Sequence, residues 1–237
     1  MRIGMITPSS NTMLEPVTYK IVQEVPDLSV HFSRIGVTKI ALSEDSNKQF
    51  EFQQMKEASV LLADAKVDLL VWNGTSASWL GLENDYNLCK KIEEEVGIPM
   101  ISSSIAILEA FKALEANRIG LVTPYTKDVS NEISKQYESL EIEVLIEQYA
   151  GLTVNHDFAL VTEEQTYKMI TDCMIKPVEA IAVVCTNVNA ASIVKEAEEC
   201  DGNRIIDSIS ATLWYAMKKL GMDTKPLADR WGILFNN

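Results

Sequence analysis

The chain repeats itself, and that repeat restricts its fold more than any other feature. Arg2-Ile3-Gly4-Met5-Ile6-Thr7-Pro8 returns as Arg118-Ile119-Gly120-Leu121-Val122-Thr123-Pro124, 116 positions later. Leu70-Val71-Trp72-Asn73-Gly74-Thr75-Ser76 lines up with Ile181-Ala182-Val183-Val184-Cys185-Thr186-Asn187 at an offset of 111. Ile101-Ser102-Ser103-Ser104-Ile105-Ala106-Ile107-Leu108 resembles Ile206-Asp207-Ser208-Ile209-Ser210-Ala211-Thr212-Leu213 at 105. Three matches in one order, with slowly drifting offsets, mark a duplicated unit. Two similar halves follow, and the cleft between them is the natural ligand site. The expected division joins residues 1–115 and 208–237 in the first half, with the C-terminal helix crossing over, and leaves 116–207 as the second.

Strand-like and helix-like patterns alternate inside each half. Strands are expected at Arg2 to Thr7, Ser29 to Val37, Asp68 to Asn73, Met100 to Ser102, Arg118 to Thr123, Glu143 to Tyr149, Ala180 to Cys185 and Arg204 to Asp207. Helical spacing covers Leu14 to Val25, Asn47 to Ala65, Asn84 to Val96, Ser104 to Glu115, Ser130 to Ser139, Glu163 to Ile175, Ala190 to Glu199 and Ser208 to Leu220. Regular β-α alternation predicts an α/β fold of two pseudo-symmetric Rossmann-like halves, each a mainly parallel sheet flanked by helices.

Open sheets of this kind place ligands past the carboxyl ends of their strands. Ala182-Val183-Val184-Cys185-Thr186-Asn187-Val188-Asn189 ends an apolar run at such a rim with a thiol, a hydroxyl and an amide. Position alone leaves two readings of Cys185, a small buried hydrophobe or a reactive group. The duplication adds that its counterpart is Gly74. If the halves face each other, one side of a bound molecule meets a thiol and the other meets nothing.

Composition narrows the function classes. A net charge of −13 argues against nucleic acid and anionic membranes as partners, and it leaves any anionic substrate to local donors. No run approaches the roughly 18 apolar residues of a membrane span, and Met1-Arg2 leads directly into a strand pattern without a signal-peptide signature. A cytoplasmic protein is expected. Four cysteines without a C-x-x-C pair suggest neither disulfides nor a zinc site, and no metal is expected. His31 and His156 form no metal-binding pair, and no glycine-rich phosphate loop is present. Among four tryptophans, Trp79 follows Gly74-Thr75-Ser76 closely enough to shape a pocket.

On these residues the chain resembles the aspartate/glutamate racemase superfamily over essentially its whole length. Thr7-Pro8-Ser9-Ser10-Asn11-Thr12 is similar to the amino-terminal loop of maleate cis-trans isomerases. Gly74-Thr75-Ser76, Tyr125, Asp128-Val129, Cys185 and Gly232-Ile233-Leu234-Phe235 are together similar to arylmalonate decarboxylase. The second resemblance implies a decarboxylase of a substituted malonate that uses no cofactor, in which Cys185 protonates an enediolate on one face and Gly74 stands where a second thiol is missing. Thr75, Ser76 and Tyr125 would form the oxyanion hole, since donors fixed around a carboxylate stabilise an enediolate more than its precursor. Pro8, Asn11, Asn155, Thr186 and Asn187 would complete the binding of a small carboxylate or dicarboxylate, with N–H groups at a helix amino terminus after Cys185. Asn11, Asn155 and Thr186-Asn187 resemble the isomerase side more closely. The alternatives are therefore an isomerase or racemase of a small (di)carboxylate and a carboxylate-binding homologue without turnover. A monomer or homodimer is expected.

Five of these residues also have a purely structural reading. Thr75 and Ser76 could cap a helix, Tyr125 could lie in a surface turn, Asn11 could be an N-cap and Asn155 a turn residue.

Overall fold

The computed structural model describes residues 1–43 and 48–237. Among these residues, eight strands form two four-stranded parallel sheets. Strands β1 (Arg2–Pro8), β2 (Ser29–Ile35), β3 (Leu69–Trp72) and β4 (Met100–Ser102) pair in the order β2-β1-β3-β4. Strands β5 (Arg118–Thr123), β6 (Glu143–Tyr149), β7 (Ala180–Val183) and β8 (Ile205–Asp207) pair as β6-β5-β7-β8. The duplicated segments take equivalent places, with matching register: Ile3 lies opposite Leu69, and Ile119 opposite Ala180. Every residue of β3 and β7 is buried, as expected where helices cover both faces of a parallel sheet.

Helices α1 (Leu14–Val22), α2 (Phe52–Asp64), α3 (Ala77–Leu80), α4 (Leu82–Val96) and α5 (Ser103–Ala113) belong to the first half of the chain. They are followed by α6 (Lys127–Glu138), α7 (Asn155–Phe158), α8 (Glu163–Cys173), α9 (Val194–Asp201), α10 (Ser208–Lys219) and α11 (Ala228–Trp231). The repeated helices α5 and α10 pack on each other, and Thr212 Oγ1 donates to Ser103 Oγ at 2.8 Å. Gly120 explains one conserved step of the repeat: a Cβ there would lie 2.8 Å from Cys173 Cβ, so α8 can approach β5 only over a glycine.

The differences from expectation are local. The strand through Cys185 stops at Val183, and the helix predicted from Ala190 starts only at Val194, after a 3-10 turn at Ala191–Ile193. The pattern predicted from Asn47 becomes a 3-10 turn at Lys48–Phe50 followed by α2; Asn47 itself lies outside the described residues. Helices α3, α7 and α11 escaped notice because four residues carry too little periodicity to register. Among the described residues no helix is long and apolar enough to cross a membrane.

Loops beyond the strand ends join the two halves. After β2, the chain at Thr38, Lys39 and Ile40 runs against Thr153, Val154 and Asn155 in the equivalent position after β6. Ile40 N–H donates to Thr153 C=O and Asn155 N–H to Thr38 C=O, both at 2.9 Å, around a bridge between Lys39 and Val154.

Candidate active site

The two positions singled out by the repeat leave their strands by the same step. Asn73 N–H donates to Ile6 C=O at 3.0 Å, and its counterpart Val184 N–H donates to Val122 C=O at 2.9 Å. Gly74 and Cys185 come next.

Cys185 is held from below and beside. Its N–H donates to Ser208 Oγ at 3.0 Å, and that hydroxyl donates to Val183 C=O at 2.7 Å, so the first residue of α10 pins the turn. The Sγ accepts from Asn187 N–H at 3.3 Å, and the Tyr125 phenol lies close enough to favour its thiolate form. Burial pushes the thiol up to about 11, against the lowering effect of Tyr125 and Asn187, and the nearby Asp207 charge adds to the rise. At neutral pH the group is a thiol. The expected helix amino terminus does not supply these donors, because α9 starts nine residues later at Val194 and a turn takes its place.

Across from this turn, Thr75 Oγ1 lies 2.9 Å from Tyr125 OH, with either hydroxyl able to donate. Tyr125 is buried rather than set in a surface turn, its ring edge-on to Trp79 (5.3 Å) and Phe158 (5.2 Å). Burial holds its phenol well above the ordinary tyrosine range, so it stays a neutral donor. Ser76 occupies the N-cap position of α3 but makes no side-chain cap bond. Asn73 C=O accepts from Thr186 Oγ1 at 2.8 Å, so Gly74 sits between two residues that touch the Cys185 loop and its neighbours. Above Gly74 lies the indole of Trp72: a Cβ at residue 74 would fall 2.1 Å from a ring carbon.

The asparagines join the loops. Asn11 Nδ2 donates to Thr186 C=O and Oγ1, both at 3.2 Å, while its Oδ1 accepts from Leu14 N–H at 2.9 Å and Met13 N–H at 3.0 Å at the start of α1. Asn187 Oδ1 accepts from Thr12 N–H at 2.9 Å and Met13 N–H at 3.2 Å, and its Nδ2 donates to Asn155 C=O at 2.5 Å. Asn155 Nδ2 donates to Ser10 Oγ at 2.8 Å. Pro8, at the end of β1, accepts from Asn11 N–H at 2.9 Å and so closes the turn that presents Asn11. Nine of the ten residues named from sequence are thereby joined in one contact network, with Ser76 next to it in the chain but making no side-chain bond to it, and the eight other than Gly74 and Pro8 are at most 5% exposed. Four others were not anticipated. Ser208 and Asp207 lay within the repeat but were read only as a strand end and a helix start; Ser10 lay in the amino-terminal loop motif without a role of its own, and Trp72 was one of four tryptophans read mainly as core.

These contacts make two chemical elements adjacent. One is a set of short donors able to hold a carboxylate; the other is a protonated thiol.

Comparison with known proteins gives the family and the fold. The family described as arylmalonate decarboxylase matches residues 3–232. Four curated proteins match, and each is a maleate isomerase. That of Geobacillus stearothermophilus is 20% identical, over 94% of this chain and 93% of its own. Among solved structures, Nocardia farcinica maleate cis-trans isomerase, in a cysteine-to-serine mutant with a covalently bound succinylcysteine intermediate, superimposes with a TM-score of 0.86 at 19% identity. It covers 94% of both chains. A crystal structure of arylmalonate decarboxylase gives 0.80 at 21% identity, over 100% of this chain and 99% of that one.

Proposed function

The chain belongs to the arylmalonate decarboxylase family, and on that premise we propose that it transforms a small dicarboxylic acid at the carbon next to a carboxylate held by Thr75, Ser76 and Tyr125. The observation that carries this reading is the continuous contact from Thr75 through the Tyr125 phenol to the Cys185 thiol. Charge built up on the carboxylate as an enediolate would meet donors already in place, with little reorganisation needed during the reaction. Cys185 then acts at the α-carbon in a decarboxylation, or at the β-carbon in an isomerisation. Because Gly74 brings no thiol to the opposite side, chemistry is confined to one face.

Two reactions share this intermediate. Isomerisation of a cis-dicarboxylate has the support of kinship, since the curated relatives are maleate isomerases. In that reaction the Cys185 thiol first gives up its proton to water, and the thiolate adds to the alkene carbon β to the held carboxylate while the π electrons move into that carboxylate. The former double bond rotates, and the C–S bond breaks to return the trans acid. Decarboxylation has the support of the single thiol and its protonated state. There the bond to the departing CO2 breaks and its electron pair enters the remaining carboxylate. The Cys185 proton joins the α-carbon, and the thiolate recovers a proton from water. We place isomerisation first on kinship and decarboxylation second on geometry.

Incubation with maleate and, separately, with phenylmalonate in deuterated buffer, followed by proton NMR and CO2 release, separates them. Fumarate without CO2 supports the first reading; CO2 with one deuterium at the α-carbon supports the second. Either product must vanish in Cys185→Ala. Binding of both acids without turnover would leave a carboxylate-binding homologue, and no binding would overturn the proposal.

A further inference from the structure

Two aspects of Trp72 do not fit a simple core residue. It is fully buried, yet its indole N–H has no acceptor among the described residues. An indole N–H buried in this way ordinarily finds a partner, because leaving it unpaired is costly. Its location is also particular. The side chains of residues 72 and 74 leave the strand end on the same side, and with no side chain at 74 the indole moves in. A Cβ on residue 74 would lie 2.7 Å from Trp72 Nε1, and 2.1 and 2.2 Å from two ring carbons. The N–H is thus brought into the space that a residue-74 side chain would occupy. On the two flanks of Gly74, Asn73 and Thr75 make the contacts that reach Thr186 and, through Tyr125, Cys185. Phe50 stands edge-on to the same ring at 6.2 Å. The ring also walls a cavity of about 450 Å³ lined by Ser76, Phe50 and Asp85, on a side that Thr75, Tyr125 and Cys185 do not line.

Trp79 has an unpaired N–H too, but its ring rests on Tyr125. Only Trp72 places its donor over the position left empty by glycine.

We propose that Trp72 is a substrate-binding residue: its Nε1–H donates to a carboxylate oxygen from the Gly74 side, and its ring closes the face opposite Cys185. This rests on the carboxylate site proposed above and extends it. The ligand class follows from the chemistry, an acid whose carboxylate presents an acceptor to the indole and whose adjacent carbon is flat enough to lie along the ring. It follows too that a second thiol at residue 74 cannot simply be added, because Trp72 already fills its space.

The test uses the full chain carrying Cys185→Ala, so that ligand is not consumed, labelled with ¹⁵N. Four tryptophans give four indole cross-peaks, and Trp72→Phe identifies one of them. Maleate and phenylmalonate are titrated in, with calorimetry as an independent measure of binding. The expected result is a saturable displacement of the Trp72 cross-peak, and a ten- to hundredfold weaker binding in Trp72→Phe, about the worth of one hydrogen bond to a charged group. Calorimetric binding with the Trp72 peak unmoved and the affinity of Trp72→Phe unchanged overturns the inference while the carboxylate site stands. No binding of either acid removes both. Should Trp72→Phe fail to fold, Trp79→Phe, Trp214→Phe and Trp231→Phe assign the fourth peak by elimination. Gly74→Cys provides a second arm on the otherwise native chain. Alone it is expected to show no α-proton exchange, and paired with Trp72→Ala it is expected to gain it; equal exchange in both overturns the steric part.

Discussion

Thr75 of the first half and Tyr125 of the second share a 2.9 Å hydrogen bond, and the same phenol reaches the Cys185 thiol. One side chain thereby couples the carboxylate-binding loop to the reactive group. Tyr125→Phe removes the Thr75 bond and the hydroxyl beside the thiol while keeping the ring against Trp79 and Phe158. We expect kcat to fall about 10²–10³-fold, the usual effect of losing an oxyanion donor, with a stability loss of only about 1–2 kcal/mol. Steady-state kinetics beside urea denaturation checks this; an unchanged kcat would remove the phenol from the reaction.

The same phenol controls the thiol. Burial raises Cys185 to about 11 and the Tyr125 hydroxyl holds it down, so Tyr125→Phe should move its titration higher. Thiolate absorbance, followed with the exposed Cys200 replaced by serine and compared with Cys185→Ser, reports the change. A shift to lower pH would contradict the arrangement.

Asn187 is the tie between loops. Asn187→Ala strips the acceptor from Thr12 N–H and Met13 N–H and the donor from Asn155 C=O, all in a buried setting. Unpaired buried groups of this kind cost about 2–4 kcal/mol in total. Calorimetric melting should therefore show Tm lower by about 5–15 °C. A shift of under about 2 °C would mean that the loops hold without it.

Two buried carboxyls set the pH response. Burial raises Asp85 to about 7 and Asp207 to about 6, from an ordinary value near 3.8. Between that value and the raised ones the native protein binds more protons than the unfolded chain. Stability is therefore fully retained below about pH 4 for these groups, and it declines as pH rises through 6 and 7. Asp85→Asn should flatten this decline and leave the variant more stable than the native protein at pH 8, by an amount on the order of a few kcal/mol. Urea midpoints measured between pH 4 and pH 8 decide it; parallel curves for the two proteins would refute the assignment.

The duplication was legible because it acts locally. Apolar runs of strand length, recurring in order, specify β3 and β7 whatever surrounds them, and the matched strand exits at Asn73 and Val184 follow directly. The gathering of Asn11, Thr75, Tyr125, Asn155, Thr186 and Asn187 was legible for a related reason: each lies just past a strand end, and parallel topology brings all such ends to one rim. The actual partners were not. Asn11 and Thr186 are 175 residues apart, and whether Asn11 presents its amide to a ligand or to Thr186 depends on how two loops meet. The sequence suggested Trp79 as the aromatic to watch, yet Trp72 covers Gly74, because a rotamer rather than a spacing decides which indole fills a vacant Cβ position.

By itself, then, the sequence determined the two α/β halves, their strand segments and the set of polar residues at their shared rim, since hydrophobic period and residue type act over a few neighbouring positions. Tertiary structure alone decided the state of the thiol, the bracing of Cys185 by Ser208 and Tyr125, and the indole over Gly74. Those depend on burial and on hydrogen bonds between distant segments, and neither exists until the two halves have come together.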